Sequence, residues 1–153
     1  MSDVSNGRST YRVVQWATGN IGSRSLRAVI EHPQLTLVGL HVNSSKKEGI
    51  DAGELCGLGP TGVVATRDIA SVLEAGADCV LYMQQGIDAD AICALLESGA
   101  NVVTTCGAFH HPGSMNSDLR ARVEAACEGM HPTACMASAL NPVSHTGETH
   151  GWQ

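Results

Sequence analysis

Positive charge is in short supply. Nine Lys and Arg stand against 15 Asp and Glu, a formal net charge of −6, which argues against nucleic acid or an anionic membrane surface as partner. No apolar run approaches the roughly 20 residues of a membrane span. The first ten residues are small and polar and lack the apolar centre of a signal peptide; they read as a flexible leader to a cytoplasmic protein. Aromatics amount to one Phe, two Tyr and two Trp. Among Cys56, Cys79, Cys93, Cys106, Cys127 and Cys135 there is no C-x-x-C pair, so neither a zinc site nor a redox motif is indicated. Cys79, Cys93 and Cys127 fall in apolar strand or helix patterns, where cysteine acts as a small hydrophobe. His110-His111 is the one adjacent imidazole pair, and neighbours in sequence usually point apart; no metal is expected. What remains, with 43% hydrophobic and 16% charged residues, is an ordinary α/β composition in a chain long enough for one domain with a real core.

The most informative segment is Ala17-Thr18-Gly19-Asn20-Ile21-Gly22. It follows the apolar run 11–16 and leads into a helix-period stretch with Ile21, Leu26, Val29 and Ile30 on one face, stopped near Glu31 by Pro33. Strand, glycine turn and helix is the arrangement that binds a dinucleotide pyrophosphate. Gly19 lets the phosphates approach the backbone, Gly22 lets helix and strand pack closely, and the helix N-terminus offers free N–H groups and a positive dipole end. Ala17 replaces the first glycine of G-x-G-x-x-G. Glycine turns also join strands to helices for structural reasons alone. A phosphate loop of the G-x-x-x-x-G-K-S/T kind is excluded, because no Lys-Ser or Lys-Thr follows Gly22.

Strand and helix patterns then alternate. Residues 35–42 read as a buried strand, 43–62 as a glycine-rich connection with a helical turn at 52–56, and 63–65 as a short strand. Asp68 caps a helix carrying Ile69, Val72 and Leu73. A fourth strand spans 79–83. Asp88 caps a helix with Ile92, Leu95 and Leu96 buried, ended by Gly99. A fifth strand spans 100–105, and a helix runs from about 116 to 128. This predicts a Rossmann-like, doubly wound parallel sheet in a single domain, residues 11–128, after a leader at 1–10. From 129 to 153 neither helix nor strand period can be traced. A sixth strand is due there and none is evident, so the tail reads as irregular. A shifted reading frame that cut short a longer protein and a genuine C-terminal extension both account for it.

Ligands of open parallel sheets lie beyond the carboxyl ends of the strands. After the second strand come Asn43, Ser44, Ser45, Lys46 and Lys47, with no carboxylate before Glu48. Hydroxyls and ammonium groups there suit the extra phosphate of NADP, with NAD also open; a solvated turn is the plain alternative. Arg24 either supplements the phosphate site or is simply surface. Gln84, after the fourth strand, and Thr104, Thr105 and Gly107, at the fifth, can hold the nicotinamide and its ribose, or are loops that need glycine. The expected cofactor-binding residues are thus Ala17, Thr18, Gly19, Asn20, Ile21, Gly22, Asn43, Ser44, Lys46, Gln84, Thr104, Thr105 and Gly107. Cys106 and His110 resemble a nucleophile–base pair, but nothing in their spacing demands it. No catalytic residue is assigned.

Together the segments 14–22, Asp51-Ala52-Gly53-Glu54-Leu55-Cys56-Gly57 and Asn101-Val102-Val103-Thr104-Thr105-Cys106-Gly107 resemble the N-terminal domain of the dihydrodipicolinate reductase family, and more closely its relatives similar to 2,4-diaminopentanoate dehydrogenase. The resemblance covers about residues 11–128 and none of the tail. It implies hydride transfer between NAD(P)H and a C=N or C–N centre, with Thr104, Thr105 and Gly107 near the nicotinamide. In that family, substrate-binding and proton-donating residues lie in a C-terminal α+β domain that also builds the oligomer. Catalysis by this chain would then need a partner chain carrying that domain, since hydride donor and acceptor must be held in register; a homo-oligomer is open as well. The alternative is a stand-alone, non-catalytic dinucleotide-binding module or an inactive truncated remnant.

Overall fold

The apolar run before the glycine turn forms β1 (Tyr11–Trp16), an inner strand of a six-stranded sheet whose order is β3-β2-β1-β4-β5-β6. The computed structural model describes residues 10–109, 113, 115–128 and 136–138. Expectations for the leader at 1–9, for His110 and His111 and for the rest of 129–153 lie outside the described residues. The other strands are β2 (Leu35–His41), β3 (Ala65–Thr66), β4 (Cys79–Tyr82), β5 (Asn101–Thr104) and β6 (Met136–Ser138), and every pairing is parallel. The connecting helices are α1 (Asn20–Glu31), α2 (Ala52–Leu55), α3 (Ile69–Glu74), α4 (Ala89–Glu97) and α5 (Ser117–Glu128). This is the doubly wound order, with its topological switch between β1 and β4. Among the described residues, no helix is long and apolar enough to cross a membrane.

Two apolar cores form because strand side chains alternate between faces. Val14, Trp16, Val80, Tyr82 and Val102 pack with Val72 of α3, Ile92, Leu95 and Leu96 of α4, and Val123 of α5. Leu40, Val42 and Ala65 pack with Leu26 of α1 and Ala52 of α2. Each buried Leu, Ile or Val contributes on the order of 1.5–3 kcal/mol. The helix starts follow their caps. Asp51, Asp68 and Asp88 accept backbone N–H bonds from Gly53, Ala70 and Ala91, and Asn116 accepts from Asp118 and Leu119 at the start of α5.

Two readings are corrected. The 129–153 stretch contains a strand after all, because Val102, Val103 and Thr104 of β5 pair with Met136, Ala137 and Ser138. Three residues are too few to show a period, and it is the edge of β5, needing backbone partners, that makes them a strand. Ile21 is the second. It does not share the buried face of α1 with Leu26 and Val29 but is 55% exposed, because at the first helical turn it overhangs the strand ends rather than the sheet.

Candidate functional site: a cleft at the strand ends

A cleft of about 660 Å³ opens where β1, β2 and β4 end, at the switch in strand order. One wall is Ala17, Thr18, Gly19, Asn20 and Ile21; the second is Val42, Asn43, Ser44 and Lys47; the third is Met83, Gln84 and Gln85.

The first wall is a strained and closely held turn. Ala17 has φ = 72°, the only positive value at a non-glycine among the described residues, a conformation that costs an L-residue roughly 1–2 kcal/mol. Its neighbours hold it there. Ala17 N–H donates to the carbonyl of His41 at 2.9 Å. Its own carbonyl accepts from the buried Gln15 amide at 3.0 Å, while Gln15 Oε1 accepts from Ser25 at 2.8 Å. The Gln15 side chain, 0% exposed, thus ties the turn to α1. Gly22 is packed against the same peptide, whereas a Cβ at Gly19 would meet nothing within 4 Å.

At the N-terminus of α1, Gly19 is the cap residue and no side chain accepts from the first turn, which also contains no acidic residue. Free N–H groups and the dipole end face the cleft region, the arrangement that favours an anion. Lys47 adds a cation: its Nζ donates to both the carbonyl and the hydroxyl of Thr18 at 3.0 Å. Lys46 is exposed and is not part of the lining.

The third wall is joined to the other two. Gln84 Oε1 accepts from Trp16 Nε1 at 3.1 Å and from Asn43 Nδ2 at 3.0 Å. Beneath it Trp16 stacks on His41, centroids 3.7 Å apart and planes at 17°, and lies 5.7 Å from the ring of Tyr82. His41 is 5% exposed and its Nδ1 has no partner among the described residues. Burial is the main cause holding its pKa below the ordinary value, against the raising effect of the Arg67 backbone and of Asp88.

The structure therefore brings together Ala17 to Ile21, Asn43, Ser44 and Gln84, with Gly22 directly behind. It leaves Thr104, Thr105 and Gly107 outside the lining, at the end of β5. Thr104 is fully buried and its hydroxyl accepts from the Cys106 N–H at 3.0 Å; Gly107 begins a short 3-10 turn to Phe109. Val42, Met83 and the supporting Gln15–Ser25 pair escaped the sequence reading. A polar Gln inside an apolar strand was the visible signal for Gln15, while nothing in the sequence singled out Val42 or Met83.

Comparison with known proteins adds the family. A family model described as dihydrodipicolinate reductase, N-terminus, matches residues 13–109. An amine dehydrogenase of Streptomyces virginiae is 46% identical over 74 residues, 48% of this chain and 21% of that protein. A 4-hydroxy-tetrahydrodipicolinate reductase of Synechococcus elongatus is 39% identical over 61 residues, 40% of this chain and 22% of that protein. The solved amine dehydrogenase from Mycobacterium smegmatis has a TM-score of 0.69 at 26% identity, covering 76% of this chain and 36% of its own. The chain spans about a fifth of the length of these curated relatives. With the family match running from β1 to the turn after β5, the chain belongs to the dihydrodipicolinate reductase family, as its N-terminal domain for a nicotinamide dinucleotide.

Proposed function

We propose that the cleft binds NADP in preference to NAD and serves an oxidoreductase that moves hydride to or from a C=N or C–N centre. The observation that carries this reading is the uncapped start of α1. Asp51, Asp68, Asp88 and Asn116 cap the other helices, and α1 alone among them begins on a bare glycine. A pyrophosphate fits that place: it would accept from the first-turn N–H groups, and Gly19 leaves the space that a Cβ would take.

In this reading Ala17, Thr18, Gly19, Asn20 and Ile21 form the pyrophosphate cradle, and Gly22 sets its depth. Asn43, Ser44, Lys46 and Lys47 take the adenosine ribose and its 2′-phosphate. Gln84 lies between the two halves, and Thr104, Thr105 and Gly107 border the nicotinamide end. When bound, the cofactor supplies the hydride, or the acceptor for one, at its nicotinamide ring. The amine dehydrogenase and reductase names of the relatives support a C–N or C=N substrate. Its binding groups would come from a further domain, supplied by a partner chain.

Titration with NADPH and NADH, followed by nucleotide fluorescence and thermal shift, tests the proposal. Micromolar binding with NADPH the tighter ligand is expected. A cooperatively melting chain that binds neither would overturn it.

A further inference from the structure

Asn43 stands on the exposed rim of the cleft, yet its orientation is set from the core. The route is short. Trp16, 1% exposed, is clamped between His41 and Tyr82, so its indole N–H has one direction. Gln84 Oε1 accepts that N–H at 3.1 Å and, with its remaining capacity, the Asn43 Nδ2 at 3.0 Å. An amide oxygen has two lone pairs, and both are then in use. Asn43 is left with Oδ1 as a neutral acceptor two residues beyond the end of β2. Dinucleotide folds that take the 2′-hydroxyl place a carboxylate in this region; a neutral acceptor keeps the hydrogen bond to a ribose hydroxyl without repelling a phosphate on the neighbouring oxygen.

We infer that Gln84 is a positioning residue for the adenosine half of the ligand: it transmits the fixed Trp16 indole to Asn43 and so presents Asn43 Oδ1 to the ribose before the cofactor arrives. The inference rests on the dinucleotide reading above and adds which half of the ligand Gln84 serves. Ordering a rim side chain in advance removes a cost that binding would otherwise carry.

The test uses the full chain with three probes: NADPH, adenosine 2′,5′-bisphosphate and nicotinamide mononucleotide. Gln84→Met removes the acceptor at similar length, Asn43→Ala removes the presented group, and the double variant closes the cycle. Each single variant is expected to weaken NADPH and the bisphosphate about three- to tenfold, the double variant no more than the worse single, and binding of the mononucleotide is expected to stay as in the wild type. Trp16→Phe, which keeps the stack and deletes the N–H, gives a smaller loss in the same direction and serves if Gln84→Met does not fold. Additive losses overturn the inference, as does equal weakening of all three probes, or unchanged bisphosphate binding by a variant that has lost the Gln84 acceptor. A wild-type chain that binds none of NADPH, NADH and the bisphosphate overturns the dinucleotide reading itself.

Discussion

Gly22 lies so close behind Ala17 that a Cβ on it would press into the Ala17 carbonyl, with the carbonyl carbon 2.8 Å away. The two residues fit together: Ala17, at positive φ, directs its carbonyl to the Gln15 amide, and Gly22 leaves the room. Gly22→Ala is therefore expected to destabilise the fold by about 1–3 kcal/mol, the usual cost of forcing an atom into filled space. Urea unfolding of variant and wild type measures it; an unchanged midpoint would show that the turn can shift freely.

Gly19→Ala should behave in the opposite way. Its φ is −72° and nothing lies within 4 Å of the new methyl, so stability should change by less than about 0.5 kcal/mol. Dinucleotide affinity should fall at least about tenfold, about 1.4 kcal/mol, because the methyl occupies the space proposed for the pyrophosphate. A thermal melt and an NADPH titration on one sample separate the two effects.

Lys47→Met should lower NADPH affinity more than NADH affinity, by about tenfold against a few-fold, as loss of a charge-assisted contact implies. Lys46→Met, outside the lining, should do less. Raising the salt should weaken the wild type toward the Lys47 variant, since the contact is electrostatic. Equal losses for both cofactors would assign Lys47 to the pyrophosphate instead.

His41 makes stability pH-dependent, with a definite sign. Burial lowers its pKa from the ordinary 6.5. The unfolded chain therefore binds the proton first as pH falls, and stability declines from about 6.5 down toward the lower folded-state value. Above that window the contribution is fully present. Asp51 and Asp68, lowered chiefly by hydrogen bonds from Thr61 and Ser71, lose theirs only below the ordinary 3.8. His41→Phe keeps a ring against Trp16 and removes the titration, so the urea midpoint between pH 8 and 5 should flatten in the variant. Parallel slopes in both proteins would place the pH dependence elsewhere.

Much of the fold was legible because its signals are local. The Asp68 and Asp88 caps, the Gly99 stop and the apolar runs of β1, β2, β4 and β5 each act within a few residues, and each element forms within a residue or two of its expected bounds. Ile21 and β6 were misread for a shared reason. One is apolar in sequence but reaches past the sheet, and the other is too short to carry a period and exists through its pairing with β5.

The sequence by itself determined the alternation of strand and helix, the glycine turn and the absence of a carboxylate after β2, because periodicity, backbone freedom and charge are properties of neighbouring residues. Tertiary structure alone decided that Lys47 rather than Lys46 reaches the Thr18 peptide, that Gln15 grips Ala17, and that Gln84 joins Trp16 to Asn43. Those bonds connect residues as many as 68 positions apart, and only the parallel register of β1, β2 and β4 sets which ends meet.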